Sequence, residues 1–114
     1  MSRPESIGHA QVRDAAPLFA ALGDETRLEL LIRLASGGPA SLSQLGTKAA
    51  VTRQAITKHV DVLVEAGLVR TTRSGRERIC ELEPARLDAA HAYLERISAQ
   101  WDDALERLRT FVED

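Results

Sequence analysis

The chain has 114 residues, of which 44% are apolar and 28% charged, with a formal net charge of −2. This length fits one domain with a modest core, the composition excludes general disorder, and no apolar run reaches the roughly 18 residues that a membrane-spanning helix needs. The N-terminus lacks the apolar stretch of a secretory signal, and a single cysteine, Cys80, excludes an internal disulfide framework, so we expect a cytoplasmic protein with no membrane partner.

Start and stop signals for helices divide the first third of the chain. Residues 1–14 are expected to form a flexible arm, followed by a single domain over 15–114. The first helix begins near Pro17, which a first helical turn tolerates, and ends at Gly23. Asp24 is a good N-cap for a second helix, which a Gly-Gly-Pro run ends.

Two more capping signals frame a pair of helices in the middle of the chain. Ser41 and Gln44 form the S-x-x-Q signature of a capping box and start a short third helix. Thr52 caps a fourth helix, which Gly67 ends in the left-handed conformation. Apolar residues recur at helical spacing along the expected buried side of this helix: Ile56, Val60 and Leu63. A short helix, a tight turn and a capped amphipathic helix predict a helix-turn-helix.

A β-hairpin is expected after the fourth helix, because Ser74–Gly75 is a turn signal inside strand-like sequence. Cys80 shares its strand face with Leu82, so we expect a small buried residue there. The alternative is a redox switch, which requires an exposed thiol of low pKa. The predicted fold is therefore mainly α with a small β-hairpin.

The last helix begins at Pro84 and continues nearly to the C-terminus with the most regular apolar pattern of the chain, a heptad sustained over four repeats. Such a helix measures about 40 Å, whereas a domain of this size has a radius of gyration of about 13 Å. Part of the helix should therefore protrude and pair with a second copy of the chain. The alternative is a helix packed wholly on its own domain. The pattern places these residues at the dimer interface: Leu87, Leu94, Ile97, Trp101, Leu105 and Leu108.

A basic segment lies in the middle of an otherwise acidic chain. Residues 48–78 contain seven basic and three acidic residues, a local charge of +4, which leaves −6 for the remainder. One interpretation is a solvated face; the other is an electrostatic contact with nucleic acid. The first turns of the fourth helix favour nucleic acid, because polar side chains there face away from the apolar stripe: Arg53, Gln54, Thr57 and Lys58.

These residue types suit the major groove, which the second helix of a helix-turn-helix enters. Arg53 can pair with guanine and Gln54 with adenine, whereas Thr57 can reach a base edge or a phosphate. Lys58 suits a phosphate, a contact that positions the protein without reading sequence. Thr52, at the start of the same helix, completes the expected contacts of this helix with double-stranded DNA.

The predicted hairpin adds a second basic element. Arg73 and Arg76 flank its turn, and Arg70 and Arg78 lie nearby. A basic hairpin beside a recognition helix has the layout of a wing, which lies over the DNA backbone or in the adjacent minor groove. The DNA contacts expected from the hairpin are Arg73, Arg76 and Arg78.

Two stretches of the sequence resemble the ArsR/SmtB family of winged-helix transcriptional regulators. The stronger is TRQAITKHVDVLVEAGLV followed by the basic hairpin, the second is LGDETRLELL, and the resemblance extends over roughly residues 15 to 112. It implies a cytoplasmic homodimer that usually represses by occupying operator DNA. It also implies dimerisation through the first and last helices, which adds Leu18 to the interface. The family's recognition-helix histidine falls on His59, which we include among the DNA contacts, with a structural hydrogen bond as the alternative.

The resemblance carries over poorly to metal binding. Members that sense thiophilic metals use a Cys-x-Cys box in the third helix, and the corresponding SLSQLGTKA contains no cysteine. Other members bind zinc or nickel through Asp and His along the last helix, where Asp88 and His91 begin such a set but no second histidine follows. We expect no metal and no cofactor. The contribution of Asp88 and His91 to a metal site, and the identity of a small-molecule effector, stay open.

The sequence contains no nucleophile–base–acid set, no phosphate-binding Gly-rich loop and no H-E-x-x-H or zinc-type C-x-x-C motif, so we expect no enzymatic activity. The prediction is a homodimeric, sequence-specific transcriptional regulator that represses from a roughly palindromic operator. The alternative function is a protein-interaction module without DNA binding, in which the basic face of the winged helix meets an acidic protein.

Overall fold

The computed structural model describes residues 8–47 and 51–113, so the first seven residues of the predicted arm lie outside it. Within these ranges the elements follow in the order α1 (His9–Leu22), α2 (Glu25–Gly37), β1 (Ala40–Ser41), α3 (Leu42–Thr47), α4 (Arg53–Glu65), β2 (Val69–Ser74), β3 (Glu77–Leu82) and α5 (Pro84–Glu113). The predicted class, mainly α with a small antiparallel sheet and a long last helix, is confirmed. None of the helices described is long and apolar enough to cross a membrane.

The predicted starts of α2, α3 and α4 are confirmed by their capping hydrogen bonds. Asp24 Oδ2 accepts the backbone N–H three residues later at 3.0 Å and caps α2. At α3, Ser41 Oγ accepts the Gln44 N–H at 3.1 Å and Gln44 Oε1 accepts the Ser41 N–H at 2.9 Å, which closes the capping box in both directions. Thr52 Oγ1 accepts the Ala55 N–H at 3.1 Å at the start of α4.

The first helix begins at His9 and not near Pro17, so residues 9–14 of the expected arm are helical. The Gly8 N–H donates to Gln11 Oε1 at 2.7 Å and fixes the start of α1. Pro17 lies inside the helix, on its exposed side. Its missing N–H costs one backbone hydrogen bond, which the buried face of α1 compensates. The sequence prediction was wrong because it took this proline as a start signal.

The sheet has the strand order β1-β3-β2, with both pairs antiparallel. The short strand β1 was not predicted, because two residues carry no alternating pattern. In the hairpin, Ser74 pairs with Glu77, so the two turn residues are Gly75 and Arg76, one position later than expected. Gly75 has φ of 62°, a left-handed conformation that favours glycine at the first position of a two-residue turn.

One apolar core is formed by the four helices α1, α2, α3 and α4, by the sheet and by the start of α5. The predicted buried side of α4 is confirmed, since Ile56, Val60 and Leu63 are all fully buried. Cys80 is also fully buried, and burial raises the pKa of its thiol, so the buried-residue interpretation is confirmed against the redox switch. Leu18 is 2% exposed and lies in the same core. Its predicted place in a dimer interface is corrected to a place in the core of the protomer.

The first half of α5 packs on the body of the protein, and the second half does not. The rings of Phe19 in α1 and Tyr93 in α5 lie 5.7 Å apart, and Ala90 is buried, whereas residues 98–113 are all exposed. The 30-residue helix is about 45 Å long. The radius of gyration is 18.5 Å, against about 13 Å for a compact domain of this length. The predicted protrusion is confirmed, and the alternative of a helix packed wholly on its own domain is wrong.

Gly67 ends α4 as predicted, with φ of 79°. Its N–H donates to the Val64 carbonyl at 3.0 Å, and the Leu68 N–H donates to the Leu63 carbonyl at 2.9 Å, the two bonds of a Schellman motif. The side chain of Arg86 on α5 covers this turn, so a Cβ added to Gly67 would lie 2.8 Å from Arg86 Cγ. The position therefore needs glycine for its conformation and for its space.

Gly67→Ala is expected to destabilise the protein by about 2 kcal/mol, because a Cβ is strained in the left-handed conformation and Arg86 must move. Urea unfolding followed by circular dichroism, at one protein concentration, measures the change. The control is Gly46→Ala in α3, where the added Cβ meets no atom of the described residues within 4 Å. That variant should gain about 0.5 kcal/mol from helix propensity. Equal unfolding midpoints for the two variants would contradict the assignment.

Candidate nucleic-acid interface

The short helix α3 is fixed at both ends. The capping box holds its start. At its end, the guanidinium of Arg33 on α2 donates to the Leu45 carbonyl at 2.7 Å and to the Gln44 carbonyl at 3.0 Å. Leu45 is itself buried in the core. A helix this short is unstable in isolation, so these contacts with α2 and the core give α3 its place beside α4.

Four predicted DNA-contact residues lie together on the outer side of α4: Arg53, Gln54, Thr57 and Lys58. We call them the recognition face. Arg53, Gln54 and Lys58 are exposed, and Thr57 is half-buried at the edge. Thr57 Oγ1 donates to the Arg53 carbonyl at 3.1 Å, and Arg53 Nη2 donates to Ser43 Oγ on α3 at 3.0 Å. No side-chain hydrogen bond of Gln54 or Lys58 is formed within the described ranges. Two side chains of the face are thus held and two are free.

The start of α4 is suited to an anion. Thr52 Oγ1 accepts a backbone N–H as the N-cap, which leaves the hydroxyl hydrogen free to donate. The N–H groups of Arg53 and Gln54 lie in the first helical turn and have no carbonyl partner within the helix. The helix dipole adds a partial positive charge at the same end. A phosphate oxygen placed here would meet only donors.

His59 faces the body of the protein. Its Nδ1 lies 3.3 Å from Arg27 Nη1 and 3.7 Å from Asp24 Oδ2. Because a guanidinium can only donate, His59 Nδ1 accepts, and the ring hydrogen is assigned to Nε2. The pKa of Asp24 is lowered, chiefly by the hydrogen bond from the Arg27 backbone N–H. The structural hydrogen bond given as the alternative is observed, and the DNA contact of His59 stays a prediction.

The β2–β3 hairpin, called the wing from here on, carries exposed arginines at its turn. Arg73 and Arg76 form no salt bridge with any described residue. Arg70, at the base of the wing, differs. It donates to Glu81 at 3.0 Å and to Glu83 at 3.3 Å, and these carboxylates raise the pKa of its guanidinium. The free positive charge of the wing is therefore concentrated near its turn.

Arg78 connects the wing to α4. Its Nη2 lies 2.9 Å from Asp61 Oδ1 on α4. Arg78 also stands directly opposite Arg73 in the hairpin, and the Asp61 carboxylate offsets the repulsion between these two cations. The ion pair fixes the wing against α4, and the DNA contact of Arg78 stays a prediction.

Three further residues shape this surface: Arg27, Arg33 and Ser43. Arg27 caps the end of α1, since its Nε donates to the Ala21 carbonyl at 2.6 Å and its Nη2 to the Ala20 carbonyl at 3.2 Å. A basic residue soon after a helix end is a weak sequence signal for such a cap. Arg33 and Ser43 contact residues of other helices, and no local sequence pattern indicates such contacts.

From Leu94 onward, α5 exposes an unusual amount of apolar surface, which we call the apolar face of α5: Leu94, Trp101, Leu105, Leu108, Phe111 and Val112. Trp101 is 67% exposed and Phe111 81% exposed. Leu87 and Ile97, which were predicted with this set, are half-buried, and Leu87 packs on the core. Contiguous exposed aromatic and aliphatic side chains mark a surface that binds a partner.

The question of a metal on α5 was left open by the sequence. His91 Nδ1 lies 3.9 Å from Glu95 Oε1 on an exposed helix surface, and Asp88 is exposed one turn before it. Across residues 8–47 and 51–113, no three His, Cys, Asp or Glu side chains converge as metal ligands would. The pair of His91 and Glu95 has the geometry of an ordinary surface contact.

Comparison with known proteins shows which family of proteins this chain resembles. A family model described as a helix-turn-helix domain matches residues 22–72, from the end of α1 into β2. The HTH-type transcriptional regulator Rv2034 of Mycobacterium tuberculosis is 36% identical over 87 residues, which are 76% of this chain and 78% of that protein. An ArsR-like transcriptional regulator from Rhodococcus sp. RHA1 is 39% identical with a TM-score of 0.76, over 90% of this chain and 95% of its own.

A second solved structure, of the ArsR family transcriptional regulator RHA00566, is 32% identical with a TM-score of 0.72, over 78% of this chain and 97% of its own. The similarity in sequence and in fold thus covers most of each protein and includes α3, α4 and the wing. The chain belongs to the ArsR family of winged-helix, DNA-binding transcriptional regulators.

Proposed function

We propose that the protein is a homodimeric repressor that binds a palindromic operator through α4 and the wing. The observation that carries the proposal is a set of four exposed cations, Arg53, Lys58, Arg73 and Arg76, which lack a carboxylate partner within the described ranges. Two other arginines of this surface, Arg70 and Arg78, are paired with carboxylates. Unpaired cations on a winged helix are available for phosphates and base edges.

Each residue of the recognition face has a proposed part. Arg53 and Gln54 read bases, because their planar groups can pair bidentately with guanine and adenine. Thr57 lies at the edge of the face and reaches a base edge or a phosphate. Lys58 and the Thr52 hydroxyl bind phosphates and set the register of α4 in the groove.

The proposed dimer forms through the apolar face of α5. A Trp, a Phe and several aliphatic side chains lie in water in the single protomer, and their burial against a second copy would be favourable by roughly 25 cal/mol per Å². A twofold axis would present two recognition faces to successive major grooves about 34 Å apart, which requires a palindromic site. The protein would act in the cytoplasm, where its DNA is, and its effector is not part of the proposal.

Selection of bound sequences from random DNA, followed by sedimentation of the complex, tests this function. We expect enrichment of a twofold-symmetric sequence bound by two chains, and reduced transcription in vitro from a promoter that contains it. A selected site that raises transcription would overturn the repressor assignment. If no sequence is enriched and no promoter fragment is bound at low salt, the protein-interaction module becomes the better interpretation.

Arg73→Ala and Arg76→Ala, made singly, should weaken binding to all DNA sequences about equally, because the wing contacts phosphates. Each variant removes two contacts per dimer, so the slope of log K against log salt should become less steep by about 2. Fluorescence anisotropy across a salt series measures the slope. Arg70→Ala is the matched control, because its guanidinium is already held by Glu81 and Glu83 and should change the slope little. A change in base preference without a change in slope would assign the wing to base contacts.

A further inference from the structure

Among the described residues, the one side-chain hydrogen-bond partner of Arg53 is Ser43 on α3, whose Oγ lies 3.0 Å from Arg53 Nη2. Both side chains are exposed, so the contact does not result from burial in the core. An arginine side chain has many rotamers, and a mobile one loses that freedom when it binds. The contact with Ser43 removes part of that freedom before DNA arrives.

Both ends of the contact are anchored by the backbone. Ser43 lies in α3, which the capping box and Arg33 fix at its two ends. Arg53 is the first residue of α4, which is fixed by the Thr52 cap and by the buried Ile56. The distance between the two attachment points is therefore set by the fold, and a hydrogen bond between rigid supports restricts the guanidinium to one region.

The chemistry of the partner distinguishes this contact from the other arginine contacts of the surface. Arg70 and Arg78 are held by carboxylates, which neutralise their charge. Ser43 is a neutral hydroxyl that occupies one of five N–H donors, so Arg53 keeps its positive charge and four donors. A guanidinium that is oriented but not neutralised is prepared for bidentate recognition of guanine.

We propose that Ser43 is a specificity-determining residue, which orients Arg53 so that Arg53 discriminates the base it reads. The inference rests on the proposed role of Arg53 at a base edge. Without Ser43, the guanidinium is free to turn toward the nearest phosphate, which is the same for every sequence. Ser43 thus acts through Arg53 and sets base preference more than overall affinity.

The test is a comparison of Ser43→Ala, Ser43→Thr and the control Ser36→Ala, an exposed serine on α2. Kd is measured by anisotropy for the selected operator and for operators changed at one base pair per half-site. Ser43→Ala should reduce discrimination at the base pair read by Arg53 about fivefold, with the salt slope unchanged. Ser43→Thr keeps the hydroxyl and should restore discrimination, and Ser36→Ala should match the parent protein.

The same substitution in an Arg53→Ala background separates the outcomes. Ser43→Ala should then have no further effect, because the residue through which it acts is gone. A uniform loss of affinity for all operators, or a loss that persists in the Arg53→Ala background, would mean that Ser43 contacts DNA itself and would overturn the proposal. If Arg53→Ala leaves the ranking of operators unchanged, Arg53 reads no base, and its role in the proposed function fails with the inference.

Discussion

Replacing Arg53 and Lys58 together with alanine is expected to raise the Kd for operator DNA more than about a hundredfold. In the proposed complex, Arg53 supplies a base contact worth roughly 1–3 kcal/mol and Lys58 a phosphate contact, and each would occur twice in the dimer. Because neither side chain has a carboxylate partner within the described ranges, the fold should not change. Anisotropy at a fixed salt concentration measures Kd, and circular dichroism checks the fold.

The control for this variant removes the same charge elsewhere. Arg13 on α1 and Arg96 on α5 are exposed and form no salt bridge with another described residue. Arg13→Ala combined with Arg96→Ala should therefore change Kd by no more than a few-fold, through the net charge alone. Equal losses in the two double variants would show that the protein binds DNA through its overall field and not through α4.

Trp101→Ala should weaken dimerisation at least about thirtyfold. Truncation of a large aromatic anchor at the centre of an interface is expected to cost the dimer roughly 2 kcal/mol or more in total. Trp101 is 67% exposed in the protomer, so its loss should leave the fold of the single chain intact. Sedimentation equilibrium measures the dissociation constant. Trp101 is the single tryptophan of the chain, so its fluorescence in the parent protein should shift on dilution as the dimer separates.

Asp103→Ala is the matched control. Asp103 lies two residues after Trp101, which places it about 200° around the helix axis and away from the apolar face of α5. That variant should dimerise like the parent protein. A Trp101→Ala protein that still sediments as a tight dimer would remove α5 as the interface, and α1 would become the next candidate.

The sequence predicted those features that depend on neighbours in the chain. Asp24, the Ser41–Gln44 box, Thr52 and Gly67 were all recognised because each acts on backbone groups within about four residues. The heptad pattern of α5 was also recognised from the sequence, because a helical period can be identified without knowledge of tertiary structure. Pro17 was misleading for the opposite reason. This single local signal was taken as the start of the helix, whereas burial of one side of α1 stabilises a helix that continues on both sides of the proline.

The sequence could not predict which side chains are already engaged by the fold. His59, Arg78 and Leu18 have the residue types and spacing of functional residues, yet each has a partner far away in the chain. Those partners are Arg27 for His59, Asp61 for Arg78 and the core for Leu18. Such pairings depend on tertiary distances that no residue pattern encodes. Ser43 was missed in the same way, because its contact with Arg53 connects two different helices.

The exposed apolar face of α5 would make the occupancy of the operator depend on the concentration of the protein. If operator binding requires two chains and these separate when scarce, the occupied fraction of the operator grows with the square of the amount of protein at low expression. A twofold change in synthesis would then alter occupancy about fourfold. Newly made chains would also expose a tryptophan and a phenylalanine until they meet a second copy, which makes unpaired subunits preferred targets for chaperones and proteases.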